Sequence, residues 1–340
     1  MNHILVIDDN LVTLQQINAL LESDYELSLA KSGAQALQIC HQVIPDLILL
    51  DIDMPDMDGF ETLTKLKKNI AFRHIPVIFL TSTHDSSIEV RALKNGAVDF
   101  ITKPADKEIL IHRIEVHLSL SAYNKELENK VRILEDSIIA SFSDMIEYRD
   151  ENTGGHVART AKYVNILASE LLNKGLYTDQ LSDFTVDMMT RAAPLHDVGK
   201  IAISDVILLK PGLLNDEEFA IMKTHTTVGG ELLRGIFSRV PEQSYHEFAV
   251  LIAESHHERW DGKGYPKGLK AAEIPLCSRI MSVADVFDAL VDMRVYKRPM
   301  SHKDACRVIL SESDHMFDPV IVETFEGVQD KFAEVSGHRY

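Results

Sequence analysis

A chain of 340 residues is long enough for two domains, each with its own buried core. Its composition, 45% hydrophobic and 26% charged, is that of a soluble globular protein, and a formal net charge of −17 argues against non-specific nucleic-acid binding, which needs clustered Lys and Arg. Cys40, Cys277 and Cys306 lack CxxC spacing, so neither a disulfide framework nor a thiolate zinc site is expected, and the apolar run Ile4 to Ile7, closed by Asp8-Asp9, is too short for a signal-peptide core or a membrane span. A cytoplasmic protein without membrane insertion is the expectation.

From the N-terminus, short apolar strand patterns alternate with helical ones. Ile4 to Ile7 ends in Asp8-Asp9; Leu27 to Ala30 follows; Asp46 to Leu50 ends at Asp51; Pro76 to Leu80 ends at Thr81; Asp99 to Ile101 ends near Lys103-Pro104. Such βα repetition predicts a five-stranded doubly wound parallel sheet with its site at the carboxyl ends of the strands. Three carboxylates there, Asp8, Asp9 and Asp51, require a cation, most naturally Mg²⁺. With a hydroxyl at Thr81 and an ammonium at Lys103, these are the parts of a phosphoryl-transfer site. Strand-end acids alone would be solvated caps, which accounts for one or two of these residues and poorly for five.

Residues 1–122 therefore resemble the receiver domain of two-component response regulators. The match is carried by Asp8-Asp9, by the run Asp51 to Gly59, by Thr81-Ser82 and by the run Asp99 to Pro104. The resemblance implies that Asp51 accepts a phosphoryl group from a cognate sensor histidine kinase. It implies that Asp8, Asp9, Asp51 and the backbone carbonyl of Asp53 surround Mg²⁺, that Thr81 and Lys103 contact the phosphoryl oxygens, that Phe100 is the switch aromatic, and that a cis bond precedes Pro104.

Asp106 to Ile146 holds no Pro or Gly and reads as one long helix. Leu120, Asn124, Leu127, Val131, Leu134 and Ile138 step by alternating fours and threes, a heptad seam with one Asn. A connector over 123–140 that pairs two chains into a homodimer is expected; packing of the same helix on its own domain is the alternative.

Residues 141–340 carry helical patterns and few strand signals, predicting an all-α domain. An apolar pattern from Val186 to Leu195 runs into His196-Asp197-Val198-Gly199-Lys200, where adjacent imidazole and carboxylate can serve neighbouring divalent metals. Further candidates are His156, His225, the doublet His256-His257, and Asp285. Any one alone is more often a surface or core residue. Seven together exceed the needs of one ion and suit two sharing the Asp197 carboxylate, an arrangement that clamps phosphorus and activates water. Nitrogen and carboxylate ligands without thiolates suit Fe, Mn, Ni or Zn.

This half resembles the HD-GYP phosphodiesterases, through His196 to Lys200, the run His256 to Pro266, Lys210 to Leu213, and Arg279 to Asp285. The resemblance implies metal-dependent hydrolysis of cyclic di-GMP to pGpG, in many members onward to GMP, with His156, His196, Asp197, His225, His256, His257 and Asp285 as ligands of a binuclear site. Lys200, Arg294 and Lys297 become cations for the substrate phosphates, and Gly264, Tyr265 and Pro266 the signature loop. Such a positive cleft reconciles an acidic protein with an anionic substrate. Glu258 and Asp261 either receive hydrogen bonds from ligand histidines or shape the loop. Family members holding a third metal carry Glu four residues before the first histidine; here Asn152 stands there, with Glu151 displaced by one, so two metals are expected, with turnover that is slow or stops at pGpG as the alternative to full hydrolysis. Ser204, Ala271 and Val295 are smaller departures. The expectation is a response regulator whose Asp51 phosphorylation controls a cyclic di-GMP phosphodiesterase. Its rivals are preference for pGpG or another cyclic dinucleotide, and a phosphorylation-gated adaptor that binds cyclic di-GMP with little turnover. DNA-binding output lacks a basic recognition helix.

Overall fold

The computed structural model describes residues 1–69, 71–82, 86–149, 155–239, 245–292 and 299–337. Asn152, Glu151, Arg294, Val295 and Lys297 lie outside them. The chain divides into two compact units, Met1–Arg132 and Ile133–Tyr340.

In the first unit β1 (His3–Ile7), β2 (Glu26–Ala30), β3 (Leu47–Asp51), β4 (Val77–Thr81) and β5 (Asp99–Thr102) form one sheet in the order β2-β1-β3-β4-β5, with every pairing parallel. Helices α1 (Leu11–Leu21), α2 (Gly33–Gln42), α3 (Gly59–Lys68), α4 (Ser86–Lys94) and α5 (Lys107–Arg149) follow the strands in turn. β1, β3 and β4 are buried throughout because helices cover both faces. Alternate residues serve different layers: Leu5, Ile7, Ile48 and Leu50 pack with Ala36 and Leu63, whereas Ile4, Val6, Leu47 and Leu49 pack with Leu14, Ile17, Leu110 and Ile114. Side-chain oxygens of Asn10, Ser32 and Asp58 cap the first three helices. The register Asp51↔Leu80 and Thr81↔Thr102 brings the polar strand ends to one edge, and the Lys103–Pro104 bond is cis, as expected.

α5 is 43 residues long and contains the boundary between the units. The second unit continues with α6 (His156–Asn173), α7 (Asp183–Ala192), α8 (Asp205–Leu208), α9 (Asp216–Phe237), α10 (Tyr245–Ser255), α11 (Leu276–Val291), α12 (His302–Ser311), α13 (Pro319–Glu326) and α14 (Gln329–Ser336). α11 is buried along nearly its whole circumference, the mark of a helix at the centre of its domain. Phe287 on it packs with Tyr163, Phe325 and Phe332. The helical pattern read through Leu195 stops earlier: α7 ends at Ala192 and a 3₁₀ turn spans Ala193–Leu195. Pro194 is the reason, since it lacks an N–H and its ring would strike the carbonyl four residues back.

Candidate metal centre

His156 opens α6 directly after Gly155, whose φ of 87° is left-handed. His196 and Asp197 sit between the 3₁₀ turns Ala193–Leu195 and Val198–Ala202. His225 is midway along α9, His256 and His257 follow the last residue of α10, and Asp285 lies on α11. Gly199 lets the His196-Asp197 turn reach α9: a Cβ at this position would stand 1.8 Å from the His225 carbonyl oxygen.

The seven side chains converge as two groups, Asp197 with His225, His256 and His257, and His156 with His196 and Asp285. Asp197 faces both. Its Oδ1 lies 3.3 Å from His225 Nε2 and 3.8 Å from His256 Nε2, while Oδ2 lies 3.3 Å from His196 Nε2 and 2.8 Å from Lys200 Nζ. In the other group His156 Nε2 is 3.5 Å from both Asp285 Oδ1 and His196 Nε2.

The outer nitrogens fix how these rings are used. Nδ1 of His196, His225 and His256 meets the carbonyl of Ala193, Met222 and Ile252 at 3.0, 2.7 and 3.0 Å. A carbonyl only accepts, so Nδ1 carries the proton and Nε2 turns a lone pair inward. Burial, with the neighbouring His196, pushes His256 down to about 4, and burial also lowers His225 and His257. His196 moves up instead, because Asp197 and Asp285 outweigh its burial; Asp197 is held well below the usual carboxylate range by Lys200 and His196, against its own burial. His225 Nε2, His256 Nε2 and Asp197 Oδ1 are all buried without a hydrogen-bond partner among the described residues. Three acceptors sealed together repel one another and lack donors, an arrangement that fits a bound cation and is costly otherwise.

At the edge of the parallel sheet Asp8, Asp9 and Asp51 form a third acidic group. Lys103 Nζ reaches Asp8 at 2.5 Å and Asp51 at 2.7 Å. Burial raises the Asp51 carboxyl, with Lys103 only partly opposing it. Thr81 is buried at the end of β4, Phe100 packs half-buried against the core, and the Asp53 side chain is exposed.

The sequence profile of the response regulator receiver domain matches residues 4–115, and that of the HD domain matches residues 140–321. A probable cyclic di-GMP phosphodiesterase of Vibrio cholerae is 38% identical, the match covering 98% of this chain and 79% of that protein. The cyclic di-GMP phosphodiesterase response regulator RpfG of Xanthomonas campestris is 35% identical over 98% of this chain and 90% of its own length. The chain belongs to the response regulators that join a receiver to an HD-GYP domain. A 3'3'-cGAMP-specific phosphodiesterase of V. cholerae is 36% identical over 64% of this chain and 40% of that protein.

Around the HD-GYP centre the structure separates readings that the sequence left open. Buried Glu258 accepts the backbone N–H groups of Lys267 and Leu269 at 2.7 and 3.0 Å, and Asp261 takes the Lys263 N–H at 3.0 Å, so both shape the signature loop. Tyr265 in that loop places its ring 4.8 Å from His257, and Lys223 Nζ lies 5.4 Å from the same ring. The Tyr265–Pro266 bond is cis. Arg294 and Lys297 fall outside the described residues. Sequence reasoning missed Asp288, fully buried, which receives His156 Nδ1 at 2.7 Å and Arg159 Nε at 2.8 Å. These bonds hold Asp288 below the ordinary carboxylate range despite its burial. The signal was one helical turn away: Asp288 stands three residues after Asp285, and Arg159 three after His156.

Proposed function

We propose that this chain hydrolyses cyclic di-GMP to pGpG, and further to GMP, under control of Asp51 phosphorylation by a partner histidine kinase. Residues 1–122 serve as receiver, 123–140 as connector and 141–340 as the hydrolase, acting in the cytoplasm. One observation carries the reading: Asp197 directs one oxygen to each of two side-chain groups, with buried lone pairs of His225 and His256 unpartnered among the described residues.

His225, His256, His257 and Asp197 would hold one divalent transition metal, His156, His196, Asp285 and Asp197 the other, with Fe, Mn, Ni and Zn all suited to such donors. Bound there, the pair supplies Lewis acidity and a water acidified to near neutrality. The chain's own groups do the rest. Backbone carbonyls and Asp288 hold the imidazoles in one tautomer. Lys200, beside Asp197, would meet a substrate phosphate, with Arg294 and Lys297 as further cations, and the Gly264, Tyr265, Pro266 loop would border the substrate next to His257. In the receiver, Asp8, Asp9, Asp51 and the Asp53 carbonyl would hold Mg²⁺, with Thr81, Phe100 and Lys103 responding to the phosphoryl group. The connector seam supports a homodimer: Leu127 and Leu134 are 48% and 60% exposed on α5.

The relative that acts on 3'3'-cGAMP supports a second reading, hydrolysis of another cyclic dinucleotide. Protein reconstituted separately with Mn, Fe, Ni and Zn should be assayed on cyclic di-GMP, pGpG and 3'3'-cGAMP, with His196→Ala/Asp197→Ala as control. Turnover of cyclic di-GMP above the other two, abolished in the control, is the expected result. Preference for either other substrate would replace cyclic di-GMP by that substrate, and tight binding without turnover under any metal would leave an adaptor.

A further inference from the structure

Glu147, on the last turn of α5, is 6% exposed, and neither carboxylate oxygen has a hydrogen-bond partner among the described residues. Ser143, one turn earlier on the same face, is 5% exposed, with its hydroxyl likewise unpartnered. Both line a cavity of about 20 Å³ whose walls include His156, His196, Asp197 and Lys200. That volume admits one water molecule or one ion.

A carboxylate sealed from water is retained when a cation or donors compensate it. Oxygen donors such as these, on residues lining the cavity, are those a hard divalent ion prefers, and Glu147 is not one of the seven residues grouped around Asp197 and Asp285. We propose that Glu147, assisted by the Ser143 hydroxyl, is the carboxylate ligand of a further divalent cation held in this cavity beside the metal pair. The proposal rests on the binuclear reading and revises the expectation of two ions drawn from Asn152. It ties an additional ion to the end of α5, a helix that supplies none of the seven residues.

The test is a Mn²⁺ titration of the full chain carrying Asp9→Ala to remove the receiver's acidic group. Bound metal is counted per chain by elemental analysis, and each binding step is followed by calorimetry. The protein with Glu147 should take up one ion more than Glu147→Gln, while the tighter steps at the pair are unchanged; Ser143→Ala should weaken only that last step. Manganese anomalous scattering should appear in the cavity. Equal stoichiometry in both proteins, or a water in the cavity at saturating Mn²⁺, would overturn the proposal and leave the pair intact. Absence of Mn²⁺ from the HD-GYP domain of both proteins would overturn the binuclear reading itself. Should Glu147→Gln lose the pair through misfolding, Ser143→Ala decides: selective loss of the last step upholds the proposal, and an unaltered titration overturns it.

Discussion

Gly199→Ala tests how the centre is assembled. The new Cβ would meet the His225 carbonyl oxygen at 1.8 Å and Gly229 N at 2.6 Å, where at least 3.0 Å is needed. Both obstacles are backbone, so no rotamer change relieves them. Either α9 or the turn Val198–Ala202 must retreat by about 1 Å, carrying His225 away from Asp197. A misplacement of about 1 Å costs on the order of 100-fold in turnover, and overpacking of this kind costs about 1–3 kcal/mol, or about 5 °C in the Tm of a domain this size. Gly229→Ala is the matched control across the same contact. Its Cβ would find Gly199 N at 3.2 Å and Val198 Cγ1 at 3.4 Å, and the Ala gains up to about 1 kcal/mol of helix propensity. Cyclic di-GMP turnover, metal content and thermal unfolding of both variants should therefore separate widely, with Gly229→Ala close to the parent. Parent-like metal content and Tm in Gly199→Ala would refute the claim that this close approach sets the ligand geometry.

Three more outcomes follow from named contacts. Asp288→Asn keeps the shape but removes the charge that receives His156 Nδ1, so metal affinity should fall by about 10- to 100-fold, read by competition with a chelating dye; an unchanged affinity would deny Asp288 its positioning role. Arg279 donates to buried Asp318 at 2.6 Å and to the Ile274 carbonyl at 2.9 Å. Arg279→Met should cost about 3–5 kcal/mol by stranding Asp318, visible as a Tm loss of about 10 °C, and a shift of a degree or two would show that Tyr177, which also donates to Asp318, suffices. Leu127→Glu/Leu134→Glu should convert a dimer to a monomer in light scattering, and a monomeric parent would remove the dimer reading.

What the sequence made legible was periodicity and identity of the chemical groups. Ile4 to Ile7 and Leu47 to Leu50 announce buried parallel strands because every residue is apolar, and their terminal carboxylates mark the sheet edge that carries Asp8 and Asp51. The candidate ligands could be named because nitrogen and oxygen donors recur next to Gly-containing turns. Sequence could not assign them to groups, since whether His196 faces His156 or His225 depends on how α6, α9 and α11 pack, and the orientation of Asp197, one oxygen toward each group, exists only in that packing. Pro194, by contrast, was visible and was overrun by the apolar pattern around it, although its missing N–H was sufficient reason to end the helix.

Asp288 and Glu147 escaped for opposite physical reasons. Asp288 repeats the spacing of Asp285 by one turn, so helical geometry alone would place it beside the ligand; it was lost because carboxylates three apart on a helix are ordinary. Glu147 has no such partner in sequence. It lies on a long polar helix where most carboxylates are solvated, and only burial separates it from Glu126 or Glu128, which are exposed on the same helix. Burial of a charge without compensation is a property of the tertiary structure. For that reason, motif spacing names the residues that define a motif and passes over those, such as Asp288 and Glu147, that approach the same side chains from outside it.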